Sequence, residues 1–284
     1  MVRERIADDV YVFTSQSYAG VTAGAILTDE GAILIDTLFY PEETQAIQAF
    51  LEQRLGYPVR YVITTHYHAD HTQGTHLFPE AQVVSHALCR RMLDTVGRKG
   101  LAKAQEQSPE LNGVEIVLPT LVFEEGTLTL HLGGKSVRLH HMPGHSPDLI
   151  SVHIPSHGIL FASDNAMPVP TFFDGSYEDL VRSLTVVREM APQFLVQGHG
   201  EVILRGAMGP TIREDLTYLR LIKEMVGALI ASGKPAAALQ EIDIEQCGKS
   251  RIPLNGLVTD LHRANLFKLY QQMQAESQAA AVQS

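Results

Sequence analysis

Cysteine is scarce in this sequence: its 284 residues hold two, Cys89 and Cys247, and neither belongs to a C-x-x-C pair. That excludes a disulfide framework and a thiolate-rich metal site, and it is the pattern expected of a reducing, cytoplasmic setting. Long apolar runs are missing as well. No stretch approaches the roughly 18 apolar residues of a membrane span, and the opening Met1 to Asp9 lacks the apolar run of an export signal. Positive charge is in deficit, with 22 Lys and Arg against 32 Asp and Glu and a net charge of -10. Such a chain has no diffuse basic face to neutralise phosphates, which argues against nucleic acid or an anionic membrane as partner and leaves a small-molecule substrate as the expectation. With 45% hydrophobic residues the chain can bury a substantial core, and disorder is excluded as its main state. What it has in quantity is histidine, 13 residues, so a metal site here would use imidazole and carboxylate.

The first 40 residues read as a meander of strands, in which Val10, Val12 and Thr14 alternate with Tyr11 and Phe13, and Asp29-Glu30-Gly31 turns between two apolar runs. Pro41 starts a helix with Ile47, Phe50, Leu51 and Leu55 on one face, and Gly56 ends it. Val59 to Thr65 reads as a short buried strand. Hairpins follow from Leu128, around Gly133-Gly134 and Ser156-His157-Gly158, and Ser176-Tyr177-Glu178-Asp179 opens a helix with a capping box. From residue 206 the pattern is helical: Ile212, Leu216, Leu219, Ile222 and Val226 keep one amphipathic period and Leu257, Leu261 and Ala264 another. We therefore expect a mixed α/β unit over 1–205 and a helical region over 206–284 packed on it, frayed at 278–284. Arg90 to Pro119 and Met167 to Gly175 read as loops lining a pocket.

The Val59 to Thr65 strand runs into His66-Tyr67-His68-Ala69-Asp70-His71, four possible ligands within six residues. The competing reading is a solvated polar loop. Buried together without a cation, these groups would be desolvated and short of hydrogen-bond partners. A divalent ion resolves that conflict by accepting neutral imidazole nitrogen and carboxylate oxygen. His66 and His68 can turn to one ion while Asp70 and His71 turn to a neighbour, so two metals are inferred.

This H-x-H-x-D-H run resembles the signature of the metallo-β-lactamase superfamily. The resemblance continues in Pro143-Gly144-His145-Ser146, Phe161-Ala162-Ser163-Asp164 and Gly198-His199-Gly200, and it covers residues 9 to 205. It implies an αββα sandwich with a helical C-terminal extension. It also implies His66, His68 and His145 on one metal, Asp70, His71 and His199 on the other, and Asp164 bridging the two. The ions would be divalent, zinc first, with iron or manganese as alternatives. Asp36 matches an aspartate beneath the metals, where it would orient a ligand histidine; the alternative is an Asx-turn or cap before Pro41. Thr65 is a weaker candidate for the same supporting role. The remaining histidines, His76, His86, His140, His141, His153 and His157, are read as structural, and His131 as exposed.

A water held between two such ions would ionise near neutral pH and attack a carbonyl, with Asp70 moving the proton to the leaving group. Class B1 and B2 β-lactamases carry a cysteine where this sequence has Asp164. The carboxylate instead resembles glyoxalase II, the acyl-homoserine lactonases and related esterases or phosphodiesterases. The reading is a binuclear hydrolase of esters, thioesters or lactones. Its alternatives are a mononuclear iron thiol or persulfide dioxygenase on the same fold, a β-lactam or phosphodiester hydrolase, and a non-catalytic metal-binding domain. The C-terminal helices are expected to roof the pocket, with Tyr218, His262 and Arg263 as substrate contacts.

Overall fold

Alternation along the first strands decides the architecture. In β4 (Gly31–Ile35), Ile33 and Ile35 enter one apolar cluster while Ala32 and Leu34 enter another, so both faces of the strand are buried. The computed structural model describes residues 1–283, with side chains through Ser277. The expected frayed end at 278–284 falls where side chains lie outside the described residues.

One sheet runs in sequence order through β1 (Val2–Ala7), β2 (Val10–Thr14), β3 (Thr22–Thr28), β4, β5 (Val59–Ile63), β6 (Gln82–His86) and β7 (Leu121–Phe123). It is antiparallel from β1 to β4 and parallel from β4 to β7. The second sheet has the order β13-β12-β11-β10-β9-β8, built from β8 (Thr127–Leu132), β9 (Lys135–His141), β10 (Ile150–Ile154), β11 (Ile159–Ser163), β12 (Phe194–Gln197) and β13 (Ile203–Leu204). Val12, Ile26, Ile33 and Ile63 of the first sheet meet Leu139, Val152, Phe161 and Val196 of the second in a shared core. A Cβ on Gly24 would stand 2.3 Å from Phe161 Cε1, so the absence of a side chain there lets the sheets close.

Helices cover the outer faces. On the first sheet, Ile47 of α1 (Pro41–Gln48) and the wider π-turn carrying Phe50 and Leu51 pack over Phe13, Ala25 and Leu34. The short α2 (Ala69–Thr72) follows β5. The stretch expected to be a loop from Arg90 is largely helical, as α3 (Ala87–Met92), a π-turn and α4 (Arg98–Gln105). Its apolar contacts are few, Cys89 and Leu93 beneath Tyr67, and α4 buries no side chain, which left no helical stripe to read. On the second sheet, Leu180, Leu184 and Val187 of α5 (Tyr177–Met190) pack with the long α6 (Arg205–Ala231) and α7 (Val258–Gln283). Ser176 caps α5 as its sequence predicts, accepting from Asp179 N at 3.1 Å. The result is an αββα sandwich with C-terminal helices. Among the described residues no helix is long and apolar enough to cross a membrane.

Buried Asp215 on α6 pairs with Lys249 in the segment joining α6 to α7. Burial outweighs the lysine and pushes the carboxyl from its ordinary 3.8 up to about 6. The folded state then holds its proton more tightly than the unfolded chain, so this stabilisation is full below pH 3.8 and lost as pH rises through about 6. Denaturant titrations should show wild type losing about 1–3 kcal/mol relative to Asp215→Asn across that window; a constant difference would mean that Asp215 ionises normally.

Candidate metal centre

Four strand ends deliver the site to one edge of the sandwich. His66 and His68 follow β5, His145 follows β9, Asp164 follows β11 and His199 follows β12. The two sheets are tied together there by backbone bonds, Thr22 N to Gly198 O at 2.8 Å and Ile150 N to Thr65 O at 2.9 Å. A Cβ on Gly198 would fall 1.8 Å from Asp164 Oδ1, so this close approach requires glycine.

The donor atoms form two groups. His66, His68, His145 and Asp164 offer atoms that all lie within 4.8 Å of one another, and so do Asp70, His71 and His199. Asp164 touches both, with Oδ2 3.4 Å from His145 Nε2 and Oδ1 3.1 Å from His71 Nε2.

The outward ring nitrogens decide what the inward ones carry. His68 Nε2 donates to Asp174 Oδ2 at 2.9 Å, His145 Nδ1 to Thr171 O at 3.1 Å, His71 Nδ1 to Asp36 Oδ2 at 2.9 Å and His199 Nδ1 to Ala19 O at 2.9 Å. His66 Nδ1 donates to Thr65 Oγ1 at 3.1 Å, which passes its own proton to Asp36 Oδ2 at 2.7 Å. In the neutral rings every inward nitrogen is therefore a lone pair. His68 Nδ1 lies 3.0 Å from both His66 Nε2 and His145 Nε2, a contact that repels unless a cation or proton stands between. His71 Nε2 and Asp164 Oδ1 are buried and lack a hydrogen-bond partner. This donor set fits divalent cations, which would explain why those atoms are left over.

Protonation shows the same pressure. Burial opposes charge on His199, but Asp164 and Asp70 overcome it and push the ring up to about 10. His71 is likewise raised, against burial, by Asp164, Asp70 and Asp36. Burial dominates at His145, which falls to about 4, and His66 is lowered as well. Without cations, the Asp70 side of the site keeps protons in their place.

Asp36 resolves its two readings by its bonds. It sits in a left-handed conformation (φ 55°) and accepts from Thr65 N at 2.7 Å, Thr65 Oγ1 and His71 Nδ1, so it orients a histidine of each group and Thr65 is the relay to His66. Sequence reasoning missed Asp174, which holds His68 and accepts from Tyr67 Oη, and Asp148, which fixes Tyr67 N at 2.8 Å. It also missed Tyr18, a wall of the cleft whose phenol is pushed up to about 12 by burial and then by Asp70.

Tyr218, His262 and Arg263 do not line the cleft. Tyr218 and His262 are turned into the core, where Tyr218 Oη meets His262 Nδ1 at 3.0 Å and His262 Nε2 donates to Ile242 O. Arg263 faces outward and pairs with Asp260. The polar atoms of the first two satisfy each other inside an apolar interface, which an amphipathic pattern cannot distinguish from reaching a ligand. Asn265, between them and the site, donates to Pro170 O at 2.8 Å and so holds the loop whose Thr171 orients His145. Of the other histidines, His86 caps α3 and stacks on His141 with centroids 3.9 Å apart, His157 pairs with Asp9, and His131 is exposed.

Replacing Asp36 by Ala removes the acceptor that fixes rings in both groups. Chelator-competition titration should show metal affinity falling about 10- to 100-fold; unchanged affinity would mean that the rings are held by packing alone.

The family model for the metallo-beta-lactamase superfamily matches residues 19–199. Hydroxyacylglutathione hydrolase of Rhodopseudomonas palustris (strain BisB5) is 26% identical over 215 residues, 75% of each chain. The enzyme of the same name from Cereibacter sphaeroides (strain ATCC 17029) is 24% identical over 213 residues, 74% of each chain. A metallo-beta-lactamase structure from Pontibacter korlensis superposes with a TM-score of 0.61 at 20% identity, over 77% of this chain and 98% of that one. The sec-alkylsulfatase Pisa1 from Pseudomonas sp. superposes with a TM-score of 0.74 at 15% identity, over 95% of this chain and 50% of that one, a match of fold that extends into the C-terminal helices. The matched family span opens at Ala19, whose carbonyl holds His199, and closes on His199 itself; it encloses both donor groups, and the chain belongs to the metallo-beta-lactamase superfamily.

Proposed function

We propose that this chain is a two-metal hydrolase acting on an ester, thioester or lactone carbonyl. The observation that carries the reading is the convergence of five imidazole lone pairs and two carboxylates at the floor of an open cleft. His66, His68 and His145 would hold one divalent ion, Asp70, His71 and His199 the other, and Asp164 both; zinc suits the donors, as do iron and manganese. When bound, such a pair lowers the pKa of a shared water towards about 7 and polarises the scissile carbonyl.

The chain's own residues supply the rest. Asp70 faces the cleft, and a free carboxylate lone pair can take up a proton and hand it to the leaving group. Asp36, Thr171 and Asp174 hold the rings so that no reorganisation is needed at reaction. Tyr18, kept neutral at pH 7, is an available donor to a substrate oxygen. Relatives that bear the name hydroxyacylglutathione hydrolase support hydrolysis as the reaction class. An iron dioxygenase would employ only the His66 group and leave Asp70, His71 and His199 facing one another.

Elemental analysis of metal-loaded protein should give close to two ions per chain, and a panel of lactones, thioesters, aryl esters, phosphodiesters and β-lactams should show carbonyl hydrolysis that chelation abolishes. One iron per chain with thiol-dependent oxygen uptake would replace this reading. Asp164→Ala should weaken both ions together, whereas His199→Ala should empty one position, each with at least about a 100-fold loss of activity. Two tightly held ions in both variants would refute the ligand assignment.

A further inference from the structure

The cleft above the donor groups has a volume of about 460 Å³, and its walls differ sharply from its floor. Met167, Phe173, Leu254, Leu257 and Leu261 form the walls. The acidic side chains lining it are Asp70, Asp164 and Asp174, and among the described residues no lysine or arginine lines it. The cations of the covering segment are engaged elsewhere: Lys249 with Asp215, Arg251 with Asp243 and Arg263 with Asp260.

The leucines are brought there by an unusual piece of backbone. Leu254 (φ 53°), Asn255 (φ 54°) and Gly256 (φ 88°) are three consecutive left-handed residues just before α7. Leucine rarely adopts that conformation, and such strain persists where surrounding structure and function hold it. The turn lays Leu254 beside the loop whose Ala19 holds His199, its Cδ2 3.5 Å from where a Cβ on Gly20 would stand. Leu257 and Phe173 are left 40% and 41% exposed at the rim, apolar surface that a ligand would cover.

We propose that the non-reacting part of the substrate is an uncharged aliphatic or aryl chain seated between the Leu254–Leu261 wall and Phe173. The proposal rests on the hydrolase reading for its reaction but not for its binding. At roughly 30 Å³ for each water-sized group, the cleft accommodates on the order of 15 groups, enough for the reacting centre and a medium chain. An acylglutathione would bring two carboxylates into a cleft whose walls offer them no cationic partner, so the charged thiol of the named relatives is not the expected leaving group here.

Two measurements separate this proposal from the reaction. Calorimetric titration of metal-loaded protein with methyl alkyl sulfones from butyl to octyl, which are uncharged and cannot be hydrolysed, should show Kd falling about fourfold per added methylene, equivalent to about 0.8 kcal/mol. Leu257→Ala and Phe173→Ala should flatten that slope, and Leu257→Lys should weaken octyl binding most. In the second arm, hexanoyl N-acetylcysteamine should be turned over with a kcat/KM at least about tenfold above hexanoyl glutathione, by the same reckoning of chain against charge. A methylene slope without turnover of either thioester or of any ester or lactone in the panel leaves the apolar cleft standing and removes the hydrolase reading. Binding independent of chain length, or preference for the glutathione thioester, overturns the proposal even if hydrolysis is observed.

Discussion

Every imidazole around the cleft has its outward nitrogen committed to a fixed acceptor, and that constraint governs the rest of the site. Thr65, Asp174, Asp36, Thr171 and Ala19 each accept one ring N–H, so five lone pairs are aimed inward at distances where they repel. Neutral rings and ionised carboxylates at this density need positive charge between them. Protons provide it in the free protein, on His71 and His199, and divalent ions would provide more of it in fewer atoms.

The fold serves that constraint by rigidity. Acceptors come from strand ends and a loop of the first sheet and from the loop before α5, and the parts are anchored in turn: Asp36 by Thr65 N, the Thr171 loop by Asn265, and the His199 loop by Thr22 and Gly20. Between the sheets, Phe161 fills the space that Gly24 leaves, so the strand ends carrying Asp164 and His66 cannot drift apart independently. The substrate side is built from different material. Its walls belong to the Tyr18 loop, the Met167–Asp174 loop and the turn entering α7, elements outside the sheets, and the first two also hold His199, His145 and His68.

The sequence made the donors legible because their chemistry is local: His66 to His71 is dense enough to be improbable as packing, and strands ending in Asp164 and His199 show in their apolar runs. The shared core was legible through alternation in β2 to β4. Supporting groups were harder. Asp174 and Asp148 have no periodicity and act across 106 and 81 residues of sequence, and only the fold brings them to His68 and Tyr67. Tyr218 and His262 misled because a polar tip on an amphipathic helix reads the same whether it reaches a ligand or bonds to its neighbour inside the interface. The C-terminal cover of the cleft was expected but not its residues: Leu257 and Leu261 read as positions of an amphipathic helix, and the left-handed turn that brings Leu254 beside them leaves only Gly256 as a trace.

We propose that the inward lone pairs hold two cations with Asp164 between them. Anomalous diffraction from zinc-loaded crystals tests it most directly. Two peaks about 3.5–4 Å apart are predicted, one against His66 Nε2, His68 Nδ1 and His145 Nε2, the other against Asp70, His71 Nε2 and His199 Nε2, each in contact with one oxygen of Asp164. A single peak at full zinc occupancy, or two peaks with Asp164 bound to only one of them, would contradict the account.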